Sequence, residues 1–368
     1  MMECNVDLYR FLKLMIEQGA SDLHITAASP PKLRIVGRLV PIPDCDSLSP
    51  DDTRALCFSV LTDQQKKKFE ENSEIDLSFS MKGLSRFRAN IFMQRGTVAG
   101  TFRAIPLDIK SFGELGLPDI LADLVRKPQG LLLITGPAGS GKSTTMASII
   151  ERINSEREAH VVTLEDPIEF LHHHNKCLIN QREIYSDTTS LRSALKNIIR
   201  QDPDIVFISR IQDTDTIEAA INLAETGHLT LATLSTNSAI EAVNRIIVSF
   251  PPHQQEHVRI RLSAVIEGVL SQRLIPRTDG NGRVPAFEIL LVTPAVRSLM
   301  REGKLQQIFS LMQAGQRRSG TQTLNQSLHD LYSKRLISSD AAVNYSPNPH
   351  EMLQMLKNAD YEGQSAHS

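Results

Sequence analysis

The sequence lacks long apolar runs, and it has no excess of basic residues. Its apolar stretches, such as 131–134 and 205–208, are strand-sized, whereas a membrane-spanning helix needs roughly 18 apolar residues. Lys and Arg together number 40 and Asp and Glu 42, which gives a net charge of −2. This balance excludes a surface that is basic throughout, so nucleic-acid binding would need a local patch. The first residues carry no basic segment followed by an apolar one, and we therefore expect no signal peptide.

Cysteine is scarce and scattered along the chain. The four cysteines are Cys4, Cys45, Cys57 and Cys177, and none belongs to a C-x-x-C pair. This spacing argues against both a zinc site and a disulfide framework. It favours a protein of the reducing cytoplasm, and it leaves open an association with the membrane through a partner.

The remaining composition is that of a globular protein. Apolar residues make up 41% and charged residues 22% of the 368 positions, which indicates about two to three domains. Residues 1–105 mix helical and strand periodicity, and this predicts an α+β domain. Helices are predicted over 7–18 and 49–70, and strands over 23–25, 32–40, 75–79 and 87–91.

The pattern changes twice after this domain. Residues 106–118 contain two prolines and two glycines, which break both periodicities and predict a linker. Residues 119–292 alternate helices with continuous apolar strands, which predicts an α/β fold with a parallel sheet covered on both faces. Residues 293–368 are helical only, with a polar tail from Tyr361. The elements predicted in the middle region are strands 130–135, 159–164, 204–208 and 229–234 and helices 142–154, 189–200 and 213–225.

The strongest motif predicts a phosphate-binding loop. Residues 136–143 read G-P-A-G-S-G-K-S between an apolar strand and a helical pattern, as the motif G-x-x-x-x-G-K-[ST] requires. Backbone N–H groups and the helix N-terminus would face the phosphates of ATP. Lys142 would reach the β- and γ-phosphates, and the Ser143 hydroxyl would bind Mg²⁺. The predicted nucleotide-binding residues here are Gly136, Pro137, Ala138, Gly139, Ser140, Gly141, Lys142, Ser143 and Thr144.

Motifs along the chain resemble those of the secretion-type hexameric ATPases, and within them the type IV pilus retraction motors, the PilT/PilU family. The segments that carry the resemblance are 19–24, 86–88, 162–170, 200–213, 224–239, 245–247 and 293–303. The resemblance implies a RecA-like P-loop ATPase core, an N-terminal PAS-like α+β domain and a helical C-terminal region. The expected boundaries are 1–105 for the PAS-like domain, 106–118 for the linker, 119–292 for the ATPase core and 293–368 for the helical region.

The resemblance also implies roles for single residues. Glu165 corresponds to the carboxylate that activates the attacking water, since a general base must lie within hydrogen-bond reach of that water. His228 corresponds to the first histidine of the family's histidine box, a sensor of the γ-phosphate. Arg88, Arg95 and Arg103 correspond to arginines of the N-terminal domain that reach a nucleotide.

The chain departs from the family at the end of the Walker B strand. The retraction motors have Gly-Glu there, and this chain has Ser209 and Arg210. Gln212 replaces an arginine, and Ser235 replaces the second histidine of the box. Two unit charges of the same sign 4 Å apart repel each other by about 4 kcal/mol at an effective dielectric of 20, so an arginine is unfavourable beside a divalent cation. These departures predict weak or absent hydrolysis in a protein that still binds nucleotide.

The resemblance implies a homohexamer or a mixed hexamer with an active paralogue. It further implies docking on the inner-membrane platform protein of the pilus, with no nucleic-acid partner and no membrane insertion of the chain itself. The protein would then be cytoplasmic and peripheral at the inner membrane. Two alternatives are a nucleotide-binding adaptor that hydrolyses nothing and a motor of a related secretion or DNA-uptake system.

Two further patterns invite binding hypotheses. The run 172–174 of three histidines, with Cys177, suggests a metal site, but consecutive side chains point in different directions and few can converge on one ion. Arg192, Lys196 and Arg200 form a basic stripe on a predicted helix, which is more typical of a solvated face or a subunit contact.

Overall fold

The computed structural model describes residues 7–35, 37–105, 108–280 and 282–365. The chain divides into two compact units. The first is Met1–Asp108 with Pro167–Leu171, and the second is Ile109–Asp166 with His172–Ser368. No helix of the described residues is both long enough and apolar enough to cross a membrane.

The described residues of the first unit form three helices and six strands. Its elements are α1 (Leu8–Glu17), β1 (Asp22–Ile25), β2 (Lys32–Ile35), β3 (Arg38–Pro41), α2 (Pro50–Phe58), α3 (Asp63–Asn72), β4 (Glu74–Met81), β5 (Ser85–Gln94) and β6 (Thr97–Ile105). The strands form one antiparallel sheet in the order β3-β2-β1-β6-β5-β4. One face of the sheet carries the core of the unit, where Phe11 and Met15 of α1 cluster with Leu23, Phe87 and Phe102.

Two predictions for this unit are wrong in the same way. The single strand over 32–40 is a hairpin, because the chain reverses at Gly37, whose φ is +80°. The single helix over 49–70 is two helices, because Thr62 starts α3 with a capping box that ends the first helical run. In both cases a short turn lies inside an apolar pattern that continues across it.

Cysteine pairing also differs from the expectation. Cys45 is disulfide-bonded, whereas Cys57 and Cys177 are free and buried. The spacing argued against a disulfide framework and gave no sign of the bond at Cys45, since a disulfide depends on the distance between two Cα atoms in the fold and not on their spacing in sequence. Burial raises the pKa of the Cys57 thiol to about 12.

The second unit is built on a seven-stranded sheet. The strands are β7 (Gly130–Thr135), β8 (His160–Glu165), β9 (Leu178–Glu183), β10 (Ile205–Ile208), β11 (Leu229–Leu234), β12 (Ile266–Pro276) and β13 (Arg283–Leu291). Their order is β13-β12-β7-β11-β10-β8-β9. All neighbours are parallel except β12 and β13, which form an antiparallel pair. The predicted parallel sheet is therefore confirmed in its centre, and its antiparallel edge was not predicted.

Helices cover both faces of this sheet. They are α4 (Phe112–Leu115), α5 (Ile120–Val125), α6 (Lys142–Glu156), α7 (Leu191–Ile198), α8 (Thr214–Glu225), α9 (Ala239–Val248) and α10 (Pro252–Val265). Leu132 and Ile134 of β7 cluster with Ile149 of α6 on one face. Leu131 and Leu133 cluster on the other face with helices α8 and α9. This alternation along β7 gives the three-layer α/β/α arrangement that the continuous apolar strand predicts.

The C-terminal region is helical, as predicted. Its helices are α11 (Pro294–Arg301), α12 (Leu305–Ser319), α13 (Leu324–Ser333), α14 (Ser339–Tyr345) and α15 (Pro349–Ser365). Met300 and Met312 are fully buried within it. Within the predicted linker, residues 106 and 107 lie outside the described residues, and Leu117 packs in the core of the second unit.

Candidate functional site

The phosphate loop joins the end of β7 to the start of α6. Gly136 has a φ of +148°, and a Cβ there would lie 2.4 Å from the carbonyl oxygen of Gln272. Gly141 has a φ of +91° and precedes the first residue of α6. Only glycine fits this curvature and close approach, so the predicted strand–loop–helix context is confirmed.

Helix α6 offers an anion site at its N-terminus. No side chain caps it, and its first turn has no acidic residue, so its free N–H groups and partial positive charge face the loop. Lys142 lies at the same end, where its ammonium donates to the carbonyls of Gly136 at 2.9 Å and Pro137 at 2.8 Å. The Ser140 hydroxyl is buried and has no hydrogen-bond partner among the described residues. These features together favour a phosphate ligand.

Gln272 of the neighbouring strand β12 forms hydrogen bonds with the phosphate loop. This residue was not predicted from the sequence. Its side chain is 1% exposed. Its Nε2 donates to the Ser140 carbonyl, at 2.6 Å, and its Oε1 accepts from the Thr145 hydroxyl at 2.9 Å. One amide therefore joins the phosphate loop to the first turn of α6.

Replacing Gln272 should loosen the loop. Gln272→Leu leaves the Ser140 carbonyl and the Thr145 hydroxyl buried without these partners, and each unsatisfied group costs about 1–3 kcal/mol. We expect at least about a tenfold loss of nucleotide affinity, measured by calorimetric titration. Thr145→Val removes only one of the two bonds and should have a smaller effect. An unchanged affinity in Gln272→Leu would contradict the role of the amide.

Two buried carboxylates lie at the same edge of the sheet as the phosphate loop. Glu165 ends β8 and Glu183 ends β9, and the two residues are paired in register. Both are at least nine-tenths buried. The Glu165 Oε1 accepts from the Thr163 hydroxyl at 2.6 Å and from Gln181 Nε2 at 3.0 Å. Since the carboxyl ends of parallel strands share one edge, Glu165 lies on the side where a ligand of the loop would bind.

Strand β10 ends at Ile208, and the chain continues into Ser209 and Arg210. The Ser209 carbonyl accepts from the Thr233 hydroxyl of β11, and its N–H donates to the Leu164 carbonyl of β8 at 2.9 Å. Arg210 is exposed. With the Gln212 amide turned to satisfy both groups, its oxygen accepts from Arg210 Nε at 2.7 Å and Nη1 at 3.2 Å. In this orientation Arg210 and Gln212, two of the residues expected to depart from the family, bind each other.

His228 lies at the end of the parallel strands opposite to the one that carries the phosphate loop. Its carbonyl accepts from the N–H of Gly130, which begins β7, whereas the phosphate loop follows Thr135 at the other end. A six-residue strand separates the two edges by about 16–20 Å at about 3.3 Å per residue. The structure therefore does not bring His228 to the phosphate loop of its own chain, and its role as a γ-phosphate sensor stays a prediction. Ser235 follows β11 and lies at the loop edge instead.

The predicted arginines lie on the six-stranded sheet of the first unit. Arg88 of β5 and Arg103 of β6 are paired in register on one face. Arg103 Nε donates to Asp22 Oδ1 at 2.8 Å. Burial alone would raise the pKa of Asp22, but hydrogen bonds from Ser21 and Arg103 outweigh it and lower that pKa. Arg95 lies in the β5–β6 turn with a φ of +49°, so the structure brings Arg88 and Arg103 together without Arg95.

The histidine run forms no metal centre among the described residues. His172 Nδ1 lies 3.4 Å from Glu151 Oε2, and His174 Nδ1 accepts from the N–H of Ile179 at 3.1 Å. The side chains therefore have separate partners. In the basic stripe, Arg192 forms an ion pair of 3.1 Å with Asp215 of α8, which fits an ordinary helix surface.

Comparison with known proteins identifies the family. The model of the type II/IV secretion system proteins matches residues 102–334. The type IV pilus retraction ATPase PilT of Pseudomonas aeruginosa is 42% identical over 339 residues, which cover 92% of this chain and 97% of that protein. This chain belongs to the PilT/PilU family of type II/IV secretion system proteins. The type IV pilus ATPase PilU of the same organism is 38% identical over 96% of this chain and 92% of PilU.

Solved structures of the family agree in fold. The pilus retraction motor PilT with bound ADP is 46% identical, covers 95% of this chain and 99% of its own, and superimposes with a TM-score of 0.89. The ATPase DotB of Legionella pneumophila is 26% identical, covers 91% of this chain and 93% of its own, and has a TM-score of 0.80. The resemblance to the PilT/PilU family and the RecA-like core are thereby confirmed.

Proposed function

We propose that this protein is an ATP-binding motor subunit of the type IV pilus retraction machinery, which serves twitching motility. The observation that carries the proposal is the uncapped N-terminus of α6 with Lys142, at the same sheet edge as the buried carboxylate of Glu165. This arrangement suits a nucleoside triphosphate, whose charge the helix end and the ammonium offset. The similarity to PilT over nearly the whole chain supports the pilus as its machine.

The residues at the loop fit ATP better than they fit a complete metal site. Ser143 follows Lys142, the first residue of α6, and its hydroxyl would be a ligand of Mg²⁺ that arrives with the nucleotide. Glu165 would orient and deprotonate the attacking water. At the end of β10 the side chain is a guanidinium, Arg210, which cannot bind a cation. We therefore propose that ATP is bound firmly and hydrolysed slowly.

The proposed oligomeric state and docking partner follow from membership of the family. The subunit would form a homohexamer or a mixed hexamer with an active paralogue, and dock on the inner-membrane platform protein of the pilus. Arg88, Arg95 and Arg103 are proposed to contact a nucleotide in that assembly. The pairing of Arg210 with Gln212 also favours a second candidate, a nucleotide-binding adaptor that stabilises the ring and hydrolyses nothing.

A calorimetric titration of the full chain with ATP tests the proposal. Lys142→Ala removes a charge-assisted hydrogen bond to phosphate, worth about 1.5–3 kcal/mol, so affinity should fall about tenfold to a hundredfold. Lys304→Ala is the control, since Lys304 is an exposed lysine that pairs with Glu302 at 2.8 Å. An ATP affinity that is unchanged in Lys142→Ala would refute binding at the phosphate loop.

A further inference from the structure

Glu165, the proposed general base, receives two hydrogen bonds at one oxygen. The Thr163 hydroxyl of β8 and the Gln181 amide of β9 both donate to its Oε1, at 2.6 and 3.0 Å. Thr163 and Gln181 are paired in register on neighbouring strands. Glu165 follows Thr163 by two residues, so both side chains of β8 point to the same face of the sheet. Two donors on one oxygen restrict how the carboxylate can rotate.

This face of the sheet is the one that α6 covers. Val161 of β8 and Ile179 of β9 cluster with Ile149 of α6. Glu165 and Gln181 lie an even number of residues further along these two strands, so they point to the same face. The phosphate loop leads into the same helix. Gln181 therefore holds the carboxylate on the side of the sheet where the N-terminus of α6 would receive the phosphates.

A backbone group fixes the orientation of the Gln181 amide. The N–H of His172 donates to Gln181 Oε1 at 2.9 Å. Because a backbone N–H can only donate, the amide oxygen must face His172 and the NH₂ group must face Glu165. A hydrogen bond donated to a carboxylate favours its charged form, and this is the form that can accept a proton from water.

His172 is itself held against α6. Its side chain is 2% exposed, and its Nδ1 lies 3.4 Å from Glu151 Oε2 of that helix. The N–H that orients the Gln181 amide therefore belongs to a residue whose position is fixed by its own packing. This gives a structural role to the first histidine of the run 172–174, which forms no metal centre among the described residues.

We propose that Gln181 is a positioning residue for hydrolysis, whose amide is oriented by the His172 backbone and fixes the Glu165 carboxylate in its charged form. The inference rests on the proposed function, because it takes Glu165 as the base that acts on the attacking water. It adds that β9, the outermost strand of the sheet, contributes to the rate of hydrolysis and not to nucleotide binding.

Two changes at Gln181 separate its two hydrogen bonds. Gln181→Leu removes both, whereas Gln181→Glu keeps an acceptor for the His172 N–H and removes the donor to Glu165. Single-turnover phosphate release, with the full chain in excess over ATP, measures slow hydrolysis, and calorimetric titration measures ATP affinity. We expect each change to lower the rate constant about tenfold to a hundredfold, as for loss of a hydrogen bond to a charged group, with ATP affinity retained.

The pH profile of the rate is a readout that a purely structural role would not change. Loss of the donor disfavours the charged form of Glu165, so the acid limb of the profile should move to higher pH in Gln181→Leu. It should move further in Gln181→Glu, because another carboxylate beside Glu165 and Glu183 adds like charge.

Asn180→Leu is the matched control for both readouts. Asn180 precedes Gln181 on β9 and is exposed, and its amide nitrogen lies 2.9 Å from His160 Nε2. The change removes an amide from the same strand at a position away from the carboxylate. The rate constant and the acid limb should both stay as in the unmodified protein.

An unchanged rate and an unchanged acid limb in Gln181→Leu would overturn the proposal. A parallel loss of ATP affinity would overturn it too, since Gln181 would then act on binding. The same assay on the protein with Arg210→Glu and Ser235→His covers the case of undetectable hydrolysis. If ATP binds but neither protein releases phosphate, Glu165 is not a base and the positioning role fails, while ATP binding stands. If the unmodified protein binds no ATP, the proposed function itself fails.

Discussion

Phosphate release by the unmodified protein is expected to be at least about a hundredfold slower than that of a complete motor of the PilT/PilU family assayed beside it. This prediction rests on the expectation that the family has a carboxylate where this chain has Arg210 and a histidine where it has Ser235. Loss of one preorganised transition-state contact costs about 10²–10³ in rate. The two losses need not multiply, because residues of one cluster act as a unit.

Restoring both residues should recover turnover. Arg210→Glu combined with Ser235→His is expected to exceed either single change, while ATP affinity by calorimetry stays within about twofold, since the phosphate loop is intact. Arg210→Gln is the control that separates two causes, because it removes the positive charge without supplying a carboxylate. Rapid turnover by the unmodified protein, lost in Lys142→Ala, would show that Arg210 is compatible with hydrolysis.

The phosphate loop was predictable because its determinants are local. Gly136, Gly141 and Lys142 lie within one short segment, and the apolar strand before it and the helix after it are adjacent in sequence. Gln272 was not predictable, because it lies 132 positions from Ser140 and 127 from Thr145. Only the pairing of β12 with β7 brings this amide to the loop.

His228 shows the limit of a motif, which does not say where in the fold each of its residues lies. The segment from His228 to Ser235 spans the whole of β11, so its two ends lie at opposite edges of the sheet. A motif gives the order of residues along the chain, whereas the direction of a parallel strand decides which edge each residue reaches. The same spacing explains why Ser235, and not His228, lies near the phosphate loop.

The outermost strands of both sheets were the least predictable parts of the fold. Strand β9 was missed because it is an edge strand whose Leu178 and Asn180 are exposed, so it shows no continuous apolar run. The hairpin of β2 and β3 was read as one strand because Leu33, Ile35 and Leu39 keep the alternation of a single strand across Gly37. Local turns of this kind change the topology without changing the apolar pattern.

The largest single loss of turnover is expected on replacing Glu165, the proposed general base. In the protein restored by Arg210→Glu and Ser235→His, Glu165→Gln should lower phosphate release by about 10²–10⁴, the usual contribution of a positioned acid or base, with ATP affinity retained. Glutamine keeps the size of the side chain, and its Oε1 can still accept from Thr163 and Gln181. Glu183→Gln is the matched control, since Glu183 is equally buried and paired in register with Glu165. Loss of turnover in Glu183→Gln but not in Glu165→Gln would transfer the role of base to the other carboxylate.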